Sequence, residues 1–349
     1  MNQVSVGKIS GMLKPKYRVI STHLGEEYNP QKGLDVFIDF NSFIHSISRY
    51  QKYLNYLPFA GPDVEVDLIS SFLSTLNHWK NFAKKWENVR IIGFMNQFDM
   101  GRLCEASQLK SYLIPYVNAF KSDRLQQIVY YVSEAVKKVQ TILKYVPNMY
   151  LITCDQFDSM MIPNVLDDYA KSGRSRIIIT GNQIMTSYCM MPNTKVLYSK
   201  YGKEGIHQLS DVVMIAKSIT KVDDDIVAEF TKNKVFYNLL LVIVGDFERG
   251  IIGLTQMGIT TFACNLLRGI EQGTIKQDPK SIESCLPIID EVYHKYVLDS
   301  YPLVDLESHT KLIKQSAIER VKADMIDLVD IDGLRSLSID GLNLLELIM

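Results

Sequence analysis

Short apolar runs recur along the first two-thirds of the chain. Leu34-Asp35-Val36-Phe37-Ile38-Asp39 predicts a buried strand ending in an acid. Val89 to Met95, Met149 to Thr153, Arg176 to Thr180 and Lys195 to Tyr198 predict four more. The segments between them carry apolar positions at helical spacing. Val66, Ile69, Phe72, Leu73, Leu76, Trp79 and Phe82 give a helix over 64–86, residues 106–146 are mostly helical by period, and 156–171 form another helix. Strands alternating with helices predict an α/β fold with a parallel sheet. Beyond 205 the period is largely helical, apart from one more apolar run at 239–244 and an amphipathic segment from Ile259 to Leu267. Residues 1–33 are polar and aperiodic, an irregular N-terminal arm.

Ligands of an open parallel sheet bind beyond the carboxyl ends of its strands. At those ends stand Asp39, then Asn96 with Asp99 close by, then Asp155 and Asp158, then Thr180-Gly181-Asn182. The late apolar run leads to Asp246. Carboxylates brought together repel unless a cation or a proton compensates. Hard oxygen ligands suit Mg²⁺ or Mn²⁺, and two such ions can clamp both oxygens of a phosphodiester displacement. Any single Asp is more simply a helix cap; recurrence at several strand ends favours the metal. The expected ligands are Asp39, Asp155, Asp158, Asp246, Asn182 and Asp99, with Asp39, Asp155, Asp158 and Asp246 the catalytic candidates.

The stretch Val244-Gly245-Asp246-Phe247-Glu248-Arg249-Gly250-Ile251-Ile252-Gly253-Leu254-Thr255-Gln256-Met257-Gly258 follows that run and opens the amphipathic segment. Glycines permit close backbone approach, and a helix N-terminus favours anions. The layout suits contact with a phosphate backbone.

Taken in order, these segments resemble the 5′-nuclease superfamily of flap endonucleases and phage 5′–3′ exonucleases. Ile38-Asp39-Phe40-Asn41-Ser42-Phe43-Ile44-His45 looks like the family's opening strand, metal-ligand Asp and first helix. Phe120-Lys121-Ser122-Asp123-Arg124 resembles the "YKxxR" element of its arch, which makes Lys121 and Arg124 the phosphate contacts. Asp155-Gln156-Phe157-Asp158 stands for "EADD", and Thr180-Gly181-Asn182-Gln183-Ile184 for "(S/T)xDxD". Gly245 to Gly258 is similar to "GDxxDNIPGxxGIG", the start of a helix–three-turn–helix. The resemblance implies a PIN-like α/β domain over 34–204 with an arch around 106–130. It also implies a helical region over 205–349 that holds the DNA-gripping motif at 245–267. Gly253, Gly258, Thr260 and Thr261 are its implied DNA contacts.

The departures fall on the metal. Phe157 replaces a carboxylate, Asn182 and Ile184 replace a pair of aspartates, and Arg249 replaces an acid after Gly245-Asp246. Ile cannot donate oxygen, and Arg puts positive charge where a cation would sit. One ion at most, Mg²⁺ or Mn²⁺, is expected. Gln256 and Thr260 likewise replace a Gly and a Lys of the family motif.

Composition refines the picture without deciding it. With 38 basic and 39 acidic residues the net charge is −1, so any DNA binding rests on a local patch. Lys80, Lys84, Lys85, Arg90, Lys137, Lys138 and Lys144 are weaker groove candidates, and Tyr112, Tyr116, Tyr130 and Tyr131 weaker stacking ones. Five cysteines without a CxxC pair argue against a disulfide framework or a zinc site. No apolar run reaches membrane-spanning length. A soluble intracellular protein without a membrane partner is expected, in the host cytoplasm if the divergence is viral or phage-like. The leading expectation is a non-cleaving or slow relative that binds 5′-flap, branched or single-stranded DNA. The alternatives are an active metal-dependent nuclease of replication or repair, and a structural or interaction subunit of a viral assembly; the C-terminal segment, 324–349, either covers the sheet or docks on a protein partner. An unrelated hydrolase or nucleotide-binding domain ranks last, because GxxxxGK(S/T), GxGxxG and GxSxG are absent.

Overall fold

The computed structural model describes residues 33–41, 63–84, 86–97, 123–166, 173–198, 230–231, 233–246, 251, 253–254 and 259–325. The chain divides into two compact units. One comprises Met1–Ile179, Tyr201–Ile206 and Lys314–Met349, the other Thr180–Lys200 and His207–Ile313. The expected α/β class is observed. A five-stranded sheet has the order β3-β2-β1-β4-β5, built from β1 (Leu34–Asp39), β2 (Val89–Asn96), β3 (Met149–Cys154), β4 (Ser175–Thr180) and β5 (Thr194–Tyr198). β1 pairs in parallel with β2 and β4, and β2 with β3.

In the first unit, helices α1 (Asp63–Phe82) and α2 (Asp123–Leu143) pack on each other and on β2 and β3. Phe37, Ile38, Phe72, Leu76, Trp79, Ile92, Phe94 and Val139 are fully buried there. Gly93 stands beside Ile38 in the register, and a Cβ on it would meet the Phe40 ring at 2.5 Å. Only glycine lets that ring lie over the sheet, where it packs on Phe72 at a centroid distance of 4.8 Å. At the opposite end of β1, Asp35 is buried and takes a bidentate pair from Arg90 at 2.7 and 2.6 Å and a further bond from Arg174 at 2.9 Å. Arg174 also donates to the carbonyls of Leu34 and Asn88. Arg90 is therefore a register lock between strands rather than a free groove cation.

The helix expected at 156–171 is shorter over its described part: a 3-10 turn, Ser159–Met161, leads into α3 (Ile162–Val165). Pro163 suits that helix start, since its missing N–H would have no intrahelical partner there.

In the second unit, a 3-10 segment (Ile184–Met190) packs against β5 and against α4 (Lys234–Val244). α5 (Ile259–Glu271), α6 (His294–Val304) and α7 (Leu306–Lys311) complete it, α6 packing on α4. Here a sequence expectation is corrected. The run at 239–244 is the end of an 11-residue helix, so Asp246 follows a helix and not a strand. A run that is apolar all round has no period to separate strand from helix. Asn233 settles it locally, its side chain accepting the Val235 N–H at 2.7 Å as the N-cap. Among the described residues no helix is long and apolar enough to cross a membrane. α8 (Gln315–Ala323) belongs to the first unit.

Candidate functional site

In the first unit, Asp39 ends β1 and is buried. Its Oδ1 accepts from both the backbone N–H and the Nδ2 of Asn41, each at 3.0 Å. Asn41 goes further: its Nδ2 donates to Ser159 Oγ at 2.8 Å, and its Oδ1 accepts the Asn96 N–H at 2.8 Å. Asn96, the last residue of β2, accepts the Ser159 N–H on its own side-chain oxygen at 2.7 Å. Asn41, Asn96 and Ser159 thus knit the carboxyl ends of β1, β2 and β3 into one polar network. The family-like position at the end of strand two is an amide that bonds protein. Asp99 lies outside the described residues.

Asp158 does what any lone Asp does most simply: its Oδ1 accepts the Met160 N–H at 3.1 Å and caps the 3-10 turn. Asp155 follows β3, with its side chain 29% exposed, and its Oδ2 accepts from Arg320 Nη1 of α8 at 3.4 Å. Cys154, between strand and acids, has its thiol pushed well above the ordinary range, first by burial and then by Asp158, Asp155 and Asp324. It stays protonated at neutral pH.

In the second unit, Asn182 Oδ1 accepts the Ile184 N–H at 3.0 Å, while its own N–H donates to Thr180 Oγ1 at 2.9 Å. This is a turn-closing asparagine. Ile184 is fully buried and packs as core. Gln183 Nε2 donates to the Gly245 carbonyl at 3.2 Å, which brings 182–184 and 245–246 together.

Gly245 and Gly253 have φ of +80° and +81°. A Cβ on Gly245 would come within 2.7 Å of the Gly253 nitrogen, and one on Gly253 within 2.8 Å of the Val244 carbonyl oxygen. The two glycines let the chain cross itself, closed by an antiparallel bridge between Asp246 and Ile251 and by Leu254 N–H to the Ile243 carbonyl at 2.9 Å. The Gly253 N–H donates to the Tyr296 hydroxyl of α6 at 2.9 Å. That amide is occupied by protein and not held out to a phosphate.

Of the other expected contacts, Thr261 is exposed in the first turns of α5. Arg124 lies within α2 and Thr260 within α5, but their side chains, like Lys121, Gly258 and Arg249, lie outside the described residues. Lys137 pairs with Glu134 at 2.7 Å and Lys138 with Glu65, as on an ordinary solvated helix face. Tyr130 is 61% exposed and meets the Tyr131 ring edge-on at 5.7 Å.

Asn41, Ser159, Tyr296 and Arg320 were missed by sequence reasoning. Asn41 carried a readable signal, since an Asn two residues after a strand-end Asp closes an Asx-type turn. Tyr296 and Arg320 act across 43 and 165 residues of sequence, which no local pattern reports.

Among the described residues, no group of three or more His, Cys, Asp or Glu is gathered so as to hold a divalent ion. Asp39, Asp155 and Asp158 instead have an amide, a guanidinium and a turn N–H as partners. As arranged, these residues do not fit an oxygen cage for Mg²⁺ or Mn²⁺.

No family model matches the chain, and no curated protein matches it. Solved structures do. A flap endonuclease of bacteriophage T5, crystallised as a pseudo-enzyme–product complex with DNA and metal ions, is 13% identical, covers 87% of this chain and 100% of its own, and has a TM-score of 0.51. The T5 protein co-crystallised with metal ions is 13% identical over 84% of this chain and 98% of its own, with a TM-score of 0.48. The zinc-bound T5 5′-exonuclease is 12% identical over 85% and 100%, with a TM-score of 0.49. The first of these likenesses establishes that the chain has the fold of the T5 flap endonuclease, and at this identity it establishes the fold alone.

Proposed function

We propose that this chain is a divergent 5′-nuclease-like protein that binds 5′-flap, branched or single-stranded DNA, with cleavage weak or lost. The observation that carries the second half is the partnering of its carboxylates: each described strand-end acid of the first unit is bonded to a protein donor. The shared fold with a DNA-bound flap endonuclease supports the first half, as do Lys121 and Arg124 in a "YKxxR"-like element. Asp39, Asp155, Asp158, Asp246 and Asn182 are on this reading the remnants of a metal site. The bounds 34–204 and 205–349 remain the proposed division between nuclease-like core and helical DNA-gripping region.

The test is a labelled 5′-flap duplex incubated with the protein and Mg²⁺ or Mn²⁺, beside an Asp39→Ala control. Binding without cleavage is expected, with affinity falling steeply as salt rises. Cleavage that Asp39→Ala abolishes would establish an active nuclease instead. Absence of any salt-sensitive binding would leave a structural subunit as the answer.

A further inference from the structure

α2 buries one side and exposes the other. Val132, Ala135, Val136, Val139, Ile142 and Leu143 are buried, and the helix packs there on α1 and β3. Tyr130 stands nine residues before Val139, about two and a half turns, so it faces directly away from that core. It heads a solvent stripe that continues through Lys137, Thr141 and Lys144, all exposed and all polar. At 61% exposure Tyr130 is the one exposed aromatic among the described residues. Its neighbour Tyr131 is half-buried and meets it edge-on, the ring centroids 5.7 Å apart and the planes at 69°. That contact steadies the outer ring but gives it no parallel neighbour. The apolar period that would have made Tyr130 a core residue therefore runs along the opposite side of the helix.

We propose that Tyr130, steadied by Tyr131, is a stacking platform for an unpaired nucleobase, in single-stranded DNA or in the single-stranded arm of a flap. The inference rests on the DNA-binding function proposed above and adds to it a contact that carries no charge. Arg124 lies on the same helix, seven residues before Tyr131, which is about two turns or ~10 Å along the axis. A strand held by phosphate at Arg124 and running along α2 has an unpaired base within reach of the Tyr130 ring. Tyrosine suits the task, because a large flat surface is ordered at the cost of only two side-chain torsions. Stacking accepts any base and neutralises no phosphate. It adds affinity for unpaired DNA without sequence preference and without a salt dependence of its own.

Its test is the binding of the full chain to a single-stranded oligothymidylate, a 5′-flap duplex and a blunt duplex, read by fluorescence anisotropy over a range of salt. Tyr130→Ala is expected to weaken binding to the first two at least about fivefold, the lower end of what one stacked base contributes. The plot of log affinity against log salt should shift in parallel, with its slope unchanged. Tyr130→Phe and Tyr130→Trp keep a ring and should stay within about twofold of wild type. The emission of Tyr130→Trp should be quenched by the oligothymidylate, against the wild-type background of Trp79 and Trp86. Blunt-duplex affinity and melting temperature should not change in Tyr130→Ala, since the ring is exposed. Equal affinity of wild type and Tyr130→Ala for the single strand overturns the proposal, as does an equal loss on blunt duplex or a loss shared by Tyr130→Phe. A change in sedimentation with DNA affinity intact would assign the ring to contact between copies of the chain, and also overturns it. Wild-type protein with no salt-sensitive binding to any of the three DNAs would sink the DNA-binding function and the platform together. Salt-sensitive binding that Tyr130→Ala leaves untouched would sink the platform alone.

Discussion

Ile184 shows how deeply one departure from the resembled pattern is set into the core. It stands where the resembled family has an acid, but its side chain is fully buried, one turn before Tyr188, which is itself 1% exposed. Thr186, beside it, accepts the Tyr237 hydroxyl at 2.8 Å, and burial pushes that phenol far above its ordinary range. An acid at this position would be an unpaired charge inside apolar packing. Ile184→Asp is therefore expected to destabilise the protein by about 3–5 kcal/mol, the cost of a buried charge without a partner. Urea unfolding of the variant measures it, and a loss below about 1 kcal/mol would show that the site still opens to water. Replacing the family's aspartates one by one is consequently a poor route to a restored metal site. Phe157, Asn182 and Ile184 could be read from sequence as departures, but the depth of Ile184 could not.

Elements were legible where a period existed. All five strands were placed to within a residue or two, because each is a short apolar run bounded by polar punctuation. α4 was not, since its apolar residues cover every side: Phe236 to Ile243 are all buried, so no stripe distinguishes it. The ties between elements were likewise illegible. α4 opens with Lys234, which bonds Glu307 of α7 at 2.7 Å, and Lys311 adds a second contact at 3.0 Å. The hydrogen bonds from Lys234 and then Lys311 draw the Glu307 carboxyl down to about 2 from an ordinary 4.5. A depressed carboxylate stabilises the fold above its unfolded pKa and loses that contribution as pH falls through the folded one. The contribution is thus complete above about pH 4.5 and fades toward pH 2. Glu307 is 57% exposed, so solvent screens the pair and its effect is small. Glu307→Gln should lower the melting temperature slightly at pH 6 and not at all near pH 2. Parallel losses at both pH values would assign the effect to packing.

At the scale of the molecule, the order of the motifs conveys the fold, while the partners of the acids are visible only in the structure. Asp39, Asp155 and Asp158 lie at strand ends as expected, with Asn41, Arg320 and a turn amide among their partners, and only Arg320 is brought into reach by folding across a long stretch of chain. A near-neutral chain also cannot attract DNA as a whole. Its attraction has to come from a few cations held against a surface that is otherwise balanced, and the paired Arg90, Lys137 and Lys138 are poor candidates for that task. On the proposed reading, Lys121 and Arg124 are the principal contacts. Each phosphate neutralised releases condensed counterions, so the slope of log affinity against log salt counts such contacts at about 0.9 per phosphate on duplex and about 0.7 on single strands. Replacing Lys121 and Arg124 together by Ala should reduce that slope by about 1.4–1.8 on a 5′-flap substrate, measured by fluorescence anisotropy between about 50 and 200 mM salt. The same pair of replacements should leave thermal stability unchanged, which separates lost contact from lost folding. If the slope stays at the wild-type value, phosphate contact lies elsewhere.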